Sequence, residues 1–127
     1  LKLDKAIEAF FASGQNAAVS GETAVLHEFR ISAKRLRYAI EILDPAGGTE
    51  WLKRLRAIQQ DLGDWHDAIV AEEFLARLPA RSAEARRVAA ALRVEAATEI
   101  RKFQGTWRRH FGVRQEAAWI AWARTVD

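Results

Sequence analysis

His27, Arg30, Lys34 and Arg37 recur at steps of three or four residues within LHEFRISAKRLRYAIEIL, residues 26–43. Wound at about 100° per residue, they share one helix face with Tyr38 and Glu41. Leu26, Phe29, Ala33, Leu36, Ile40 and Leu43 fall together on another face, which is the apolar stripe of an amphipathic helix. Arg35 lies off both. Like charges stacked one turn apart repel. Something must offset that repulsion, either acids elsewhere in the chain or an anionic ligand. Arg and Lys repeated at this interval can give charge-assisted hydrogen bonds to successive anionic groups, and Tyr38 can add a hydroxyl donor.

A second stretch, WLKRLRAIQQDLGDWHDAI, carries Lys53, Arg56, Gln60, Asp64 and Asp67 along one face. Its apolar stripe reads Leu52, Leu55, Ile58 with Gln59, Leu62, His66 and Ile69. The connection over 44–49 is short, so the two helices must be antiparallel neighbours. That pairing predicts three orienting acids: Asp64 beside His27, Asp67 beside Arg30, and Glu41 among the cations. It also brings Lys53 and Arg56 near Arg37 and Tyr38, leaving that end net positive. Further along, Arg86, Arg93 and Arg108 recur on one face of a long helix. They are candidate secondary ligands, and equally a solvated face.

The same residues admit other chemistries. His27 with Asp64 and Asp67 could gather a divalent ion, but no His-x-x-x-His or Glu-x-x-His spacing supports it. Acid–base work by His27 with Asp67 lacks a nucleophile or a Gly-rich loop beside it. No catalytic residue, metal or cofactor is therefore assigned. The plainest alternative is that the charged face merely meets water.

The elements that position these residues are helices throughout. Residues 3–12 have helical apolar spacing, SGQNAAVSGET reads as a polar connection, and Ser20 or Thr23 can cap the helix of about Ala24–Leu43. DPAGGTE breaks that helix and Thr49 with Glu50 opens the next, to about Leu78. PARS is another break, before a long helix of about Ala83–His110 with a stripe of Val88, Leu92, Ala96, Ile100, Phe103 and Trp107. A short last helix bears Trp119 and Trp122, read as packing residues or as aromatics left for a partner chain. With no alternating strand pattern, the fold class is all-α: an up-and-down antiparallel helical bundle of four to five helices.

The 127 residues are one domain's worth, 1–127, and 50% apolar with 29% charged is ordinary for a globular chain. Charges interrupt every apolar run, so no membrane span and no leader are expected. Cysteine is absent, which excludes disulfides and fits a reducing, cytoplasmic setting. Methionine is absent too and the first residue is Leu, so the chain is read as an excised or trimmed piece. The net charge is only +3, but acids gather between Asp61 and Glu73 while cations gather in 30–56 and 77–114. That asymmetry suggests an anionic partner.

The two charged stretches, in this order and spacing over residues 24–75, resemble the CHAD family, the conserved histidine α-helical domain. The resemblance rests on His27, Arg30 and the KRLR run at 34–37, followed by Leu62, Gly63 and Asp67 in an LG-x-x-x-D signature. It implies a helical bundle that binds inorganic polyphosphate without turning it over. Such domains accompany triphosphate-tunnel enzymes or sit on polyphosphate granules. By motif position the ligands would include His27, Arg30, Lys34, Arg37, Lys53 and Arg56, with Asp67 among the matched residues. Complete family members resemble two copies of a four-helix repeat and this chain holds about one, which implies a homodimer rebuilding the two-repeat bundle or half of a larger domain. Two readings compete. One is nonspecific binding to nucleic-acid phosphates, against which stands the lack of stacking aromatics and base-reading amides on the basic helix. The other is a helical interaction domain for an acidic protein.

Overall fold

The computed structural model describes residues 2–46, 49–79 and 82–126. Five helices follow one another: α1 (Leu3–Ser20), α2 (Thr23–Leu43), α3 (Thr49–Ala76), α4 (Ala83–His110) and α5 (Val113–Val126). The described residues contain no strand. Helix α1 packs on α2, α4 and α5, and α3 packs on α2 and α4, so the first four helices close a ring that α5 covers. Neighbours run antiparallel. Gln15 and Ala18 of α1 bond Trp107 and Gln104 of α4 in reverse order, as Asp61 and Glu72 of α3 bond Thr106 and Arg93 of α4.

The first helix is longer than its apolar spacing predicts. The stretch read as a polar connection continues α1 by two turns, because its polar residues are used for packing. Gln15 Oε1 accepts the Trp107 indole N–H at 3.1 Å, and the Ala18 carbonyl accepts from Gln104 Nε2 at 2.9 Å. Gly14 lies against the face of Trp107, where an added Cβ would overlap the ring. Chain reversal falls to Gly21, whose φ of 64° is open to glycine at little cost. Ser20 Oγ accepts from the Glu22 N–H at 3.1 Å, and Glu22 precedes α2 without a side-chain cap. Helix α4 has a complete start and finish: Ser82 Oγ accepts from the Ala85 N–H, and Arg108, Arg109 and His110 complement the dipole in the last turn. The breaks read at 47–48 and 80–81 lie outside the described residues.

The core is aromatic where α1, α4 and α5 meet. Phe10, Phe11, Phe29, Phe103, Trp107, Phe111 and Trp119 are all buried. Trp107 stacks on Phe111 at 4.9 Å, and Trp119 lies 4.8 Å from Trp51 of α3. Trp119 is therefore a core residue, whereas Trp122 is half-buried beside Trp51. Two predicted core positions move. On α3, Trp65 and Ala68 take the interior places and His66 turns out of them. On α4, Val88 is exposed and Ala89 is buried instead, since the α3-facing side of that turn is one residue further along.

Candidate functional site

The site grows from how α2 and α3 meet. At one end the His27 and His66 rings lie nearly parallel, with centroids 6.1 Å apart and planes at 24°. At the other end Glu41 is shared: its Oε1 lies 3.5 Å from Arg37 Nε and 3.7 Å from an Arg56 terminal nitrogen. With His27 level with His66, an antiparallel pair sets Arg30 level with Gly63, Lys34 with Gln59 and Arg37 with Arg56. Between the two ends runs a groove of ≈ 360 Å³ lined by Arg37, Arg56, Gln59, Gln60, Gly63, Asp64 and Asp67.

This register revises the predicted pairings. Arg30 and Asp67 are a full turn out of step, about 6 Å along the axis, and the level of His27 belongs to His66. Among the described residues neither Arg30 nor Lys34 has a carboxylate within 4.0 Å, and neither Asp64 nor Asp67 forms an ion pair. Asp64 Oδ1 accepts instead from Gln60 Nε2 at 2.9 Å. The end expected to be charge-matched is thus the end without direct ion pairs, and the end expected to be unbalanced has Glu41 between two guanidiniums.

Each side chain has a reason for its place. Arg37 is held by Glu41 and by Tyr38, whose ring centroid lies 5.0 Å from the guanidinium carbon. Tyr38 itself is half-exposed and does not line the groove. Arg37 Nε and Gln59 Oε1 are buried without a hydrogen-bond partner. Gly63 meets nothing within 4 Å of where a Cβ would stand, so no packing within the chain calls for glycine there. A mid-helix glycine costs about 0.5–1 kcal/mol relative to alanine. The space it leaves is the floor of the groove.

Burial lowers the pKa of His66 below the ordinary 6.5, and the charge of Arg30 lowers it further. Asp67 acts in the opposite direction, while His27 and Lys34 add smaller contributions that also lower it. Of the predicted residues, Arg37, Arg56, Asp64 and Asp67 line the groove, while His27, Arg30 and Lys34 lie near His66 at its end without lining it. Lys53 does not join them. It lines a separate hollow on the α4 side of α3 with Glu50, Arg54, Ala57, Thr106, His110 and Phe111. The reason is rotation about α3: Lys53 stands 60° past Arg56, towards the Ala57 side. Nor do Arg86, Arg93 or Arg108 line the groove. Arg93 is bound to Glu72 at 3.2 Å, joining α4 to α3. Arg35 points to the α1–α2 side, away from the seam.

Sequence reasoning puts Gln60 on the groove face and names Gly63 only as part of the family signature, but it reads His66 and Gln59 as positions of the apolar stripe. The helical period that placed His66 on the apolar stripe fits Trp65 equally well, and the larger ring takes the interior. Gly63 was the available signal, an unforced glycine among cations and amides at the middle of a helix.

A family model described as the CHAD domain matches residues 2–76. The chain belongs to the CHAD family. The matched span holds α1, α2 and α3, and so both walls of the groove. No curated protein and no solved structure matches the chain. CHAD domains are helical binding modules associated with polyphosphate, and are not a recognised catalytic class. Among the described residues of this CHAD domain, no three His, Asp or Glu side chains are placed to hold a metal ion, so His27, Asp64 and Asp67 do not form one cluster. No helix of the described residues is long and apolar enough to cross a membrane.

Proposed function

We propose that this CHAD domain binds inorganic polyphosphate, without hydrolysing it, along the α2–α3 seam. The observation that carries the reading is that Arg37 and Arg56 line an open groove, with Arg30 and Lys34 further along α2 towards His66, and one carboxylate, Glu41, paired to any of the four. Four cations held on adjacent rigid helices lose little entropy when an extended anion arrives. Phosphates along one chain can meet them at successive turns, each through charge-assisted hydrogen bonds. His27 closes one end of the track. Asp64 and Asp67 limit it on the α3 side, where they would repel a chain that strayed across the groove.

Lys53 stands outside this track and serves at most a chain that crosses the outer face of α3. Arg86, Arg93 and Arg108 are secondary in the same sense. A second copy of the domain would double the track, and the mass of the complex with and without polyphosphate reads that stoichiometry. In cells the binding reading places the protein on polyphosphate granules in the cytoplasm.

The deciding experiment is a competition at fixed low salt between long-chain polyphosphate, single-stranded DNA and an acidic peptide, matched in charge concentration. Polyphosphate is expected to bind tightest and to keep its chain length during incubation. A folded sample that ignores polyphosphate overturns the proposal. Equal competition by DNA favours a general phosphate binder, and shortening of the chain makes the domain an enzyme.

A further inference from the structure

The polyphosphate reading leaves His66 without a role. It stands on α3 at the end of the seam, half-buried, stacked on His27 and within the field of Arg30 and Lys34. Every charged group that faces it from α2 is a cation or a second imidazole. On α3 Asp67 opposes them. His66 does not line the polyphosphate groove; it lines a neighbouring apolar hollow with Asp67, to which α4 contributes Val88 and Leu92, which carry no charge, and the nearby Arg93–Glu72 pair is closed on itself. An imidazolium at this position is disfavoured by burial and by Arg30, and an anion held beside Arg30 and His27 would offset both.

Resting on that reading, we propose that His66 is a further polyphosphate-binding residue that takes up a proton as the chain is bound, making affinity rise with acidity. Free His66 titrates below the ordinary imidazole range because of its burial and Arg30. A bound polyanion supplies the opposite charge and raises that value. Between the two values the complex holds more protons than the separated partners. Affinity therefore climbs as the pH falls through the bound value and levels off below the free one. Each unit of separation between them is worth about tenfold in affinity. Imidazole is the side chain whose titration lies in this range, so the neighbouring guanidiniums cannot produce the same effect.

The test is polyphosphate affinity from about pH 8 to about pH 5, using long chains whose internal phosphates stay ionised throughout, with proton uptake read by calorimetry in buffers of different ionisation heat. The wild-type slope is expected to approach one proton per site. His66→Gln is expected to flatten it, with about a tenfold deficit at the acidic end that shrinks as the pH rises. His66→Lys, charged throughout the range, should bind without that slope, and circular dichroism checks that both variants keep their helices. A slope kept by His66→Gln but lost in His27→Gln overturns the assignment. So does wild-type binding that is flat across the range. Failure of the wild type to bind polyphosphate at any pH is a different result, and sinks the binding reading itself.

Discussion

Helix α3 lies between two seams that differ in one respect. Against α4 its polar groups find partners within the chain: the Thr106 hydroxyl donates to Asp61 Oδ2 at 3.2 Å, and Arg93 pairs with Glu72. Burial raises the Asp61 pKa, and the Thr106 hydrogen bond and the Lys102 charge only partly offset this. Against α2 the direct contacts are at the ends, through Glu41 and the two imidazoles, and an open groove lies between them. The same helix thus holds one closed seam and one open seam. A charged residue on the closed side is accounted for by the fold. On the open side Arg30 and Lys34 have no carboxylate within 4.0 Å among the described residues, and in the proposed reading polyphosphate supplies their counter-charge.

Substitutions should separate the two sides. The largest effect belongs to neither seam but to the aromatic core. Trp107 is buried, packs on Phe10, Phe29 and Phe111, and donates to Gln15. Trp107→Ala should cost about 3–5 kcal/mol in chemical denaturation, from lost burial plus a cavity. If the domain survives, polyphosphate affinity extrapolated to the folded fraction should change little. On the open side the expectation reverses. Arg30→Ala with Lys34→Ala should lower affinity by about one and a half to three orders of magnitude, at about 1–2 kcal/mol for each lost charged contact, and leave the melting transition nearly in place. The dependence of log affinity on log salt should flatten, as it does when any polyanion loses a cationic partner. Arg35→Ala, on the α1–α2 side, serves as the matched control. Equal losses from Arg35 and from the pair would erase the distinction between the seams.

The helices were legible because apolar spacing and burial obey the same period. Leu26, Phe29, Ala33, Leu36 and Ile40 share the apolar stripe and are all buried. The length of α1 was not legible: Gly14 and Gln15 look like connection residues until Trp107, far along the chain, is seen against them. The cation face of α2 was readable from spacing alone, since one helix fixes it. The match between two helices was not. A shift of a single turn separates the predicted Arg30–Asp67 pair from the observed level of Arg30 with Gly63, and nothing local sets that shift.

Gly63 offers a smaller and more discriminating comparison. Gly63→Ala adds a methyl group where nothing stands within 4 Å, so the helix should gain about 0.5–1 kcal/mol in thermal or urea unfolding. The same methyl group occupies the groove floor level with Arg30. Affinity for polyphosphate should fall while stability rises, a divergence that a purely structural glycine would not give. Gains in both would place the ligand elsewhere.

Asp67→Asn should have the smallest effect, and its sign depends on pH. Asp67 lines the groove and is exposed, so removing its charge relieves a screened repulsion and should tighten binding about two- to threefold near pH 8. Asp67 also holds the His66 pKa up against burial and Arg30. Without it, His66 accepts its proton only at still lower pH. The acid-driven rise in affinity should therefore begin later in the variant, and the advantage seen near pH 8 should shrink at intermediate acidity. A uniform gain at every pH would mean that Asp67 acts on the phosphate chain alone, and that the imidazole at the end of the seam does not answer to it.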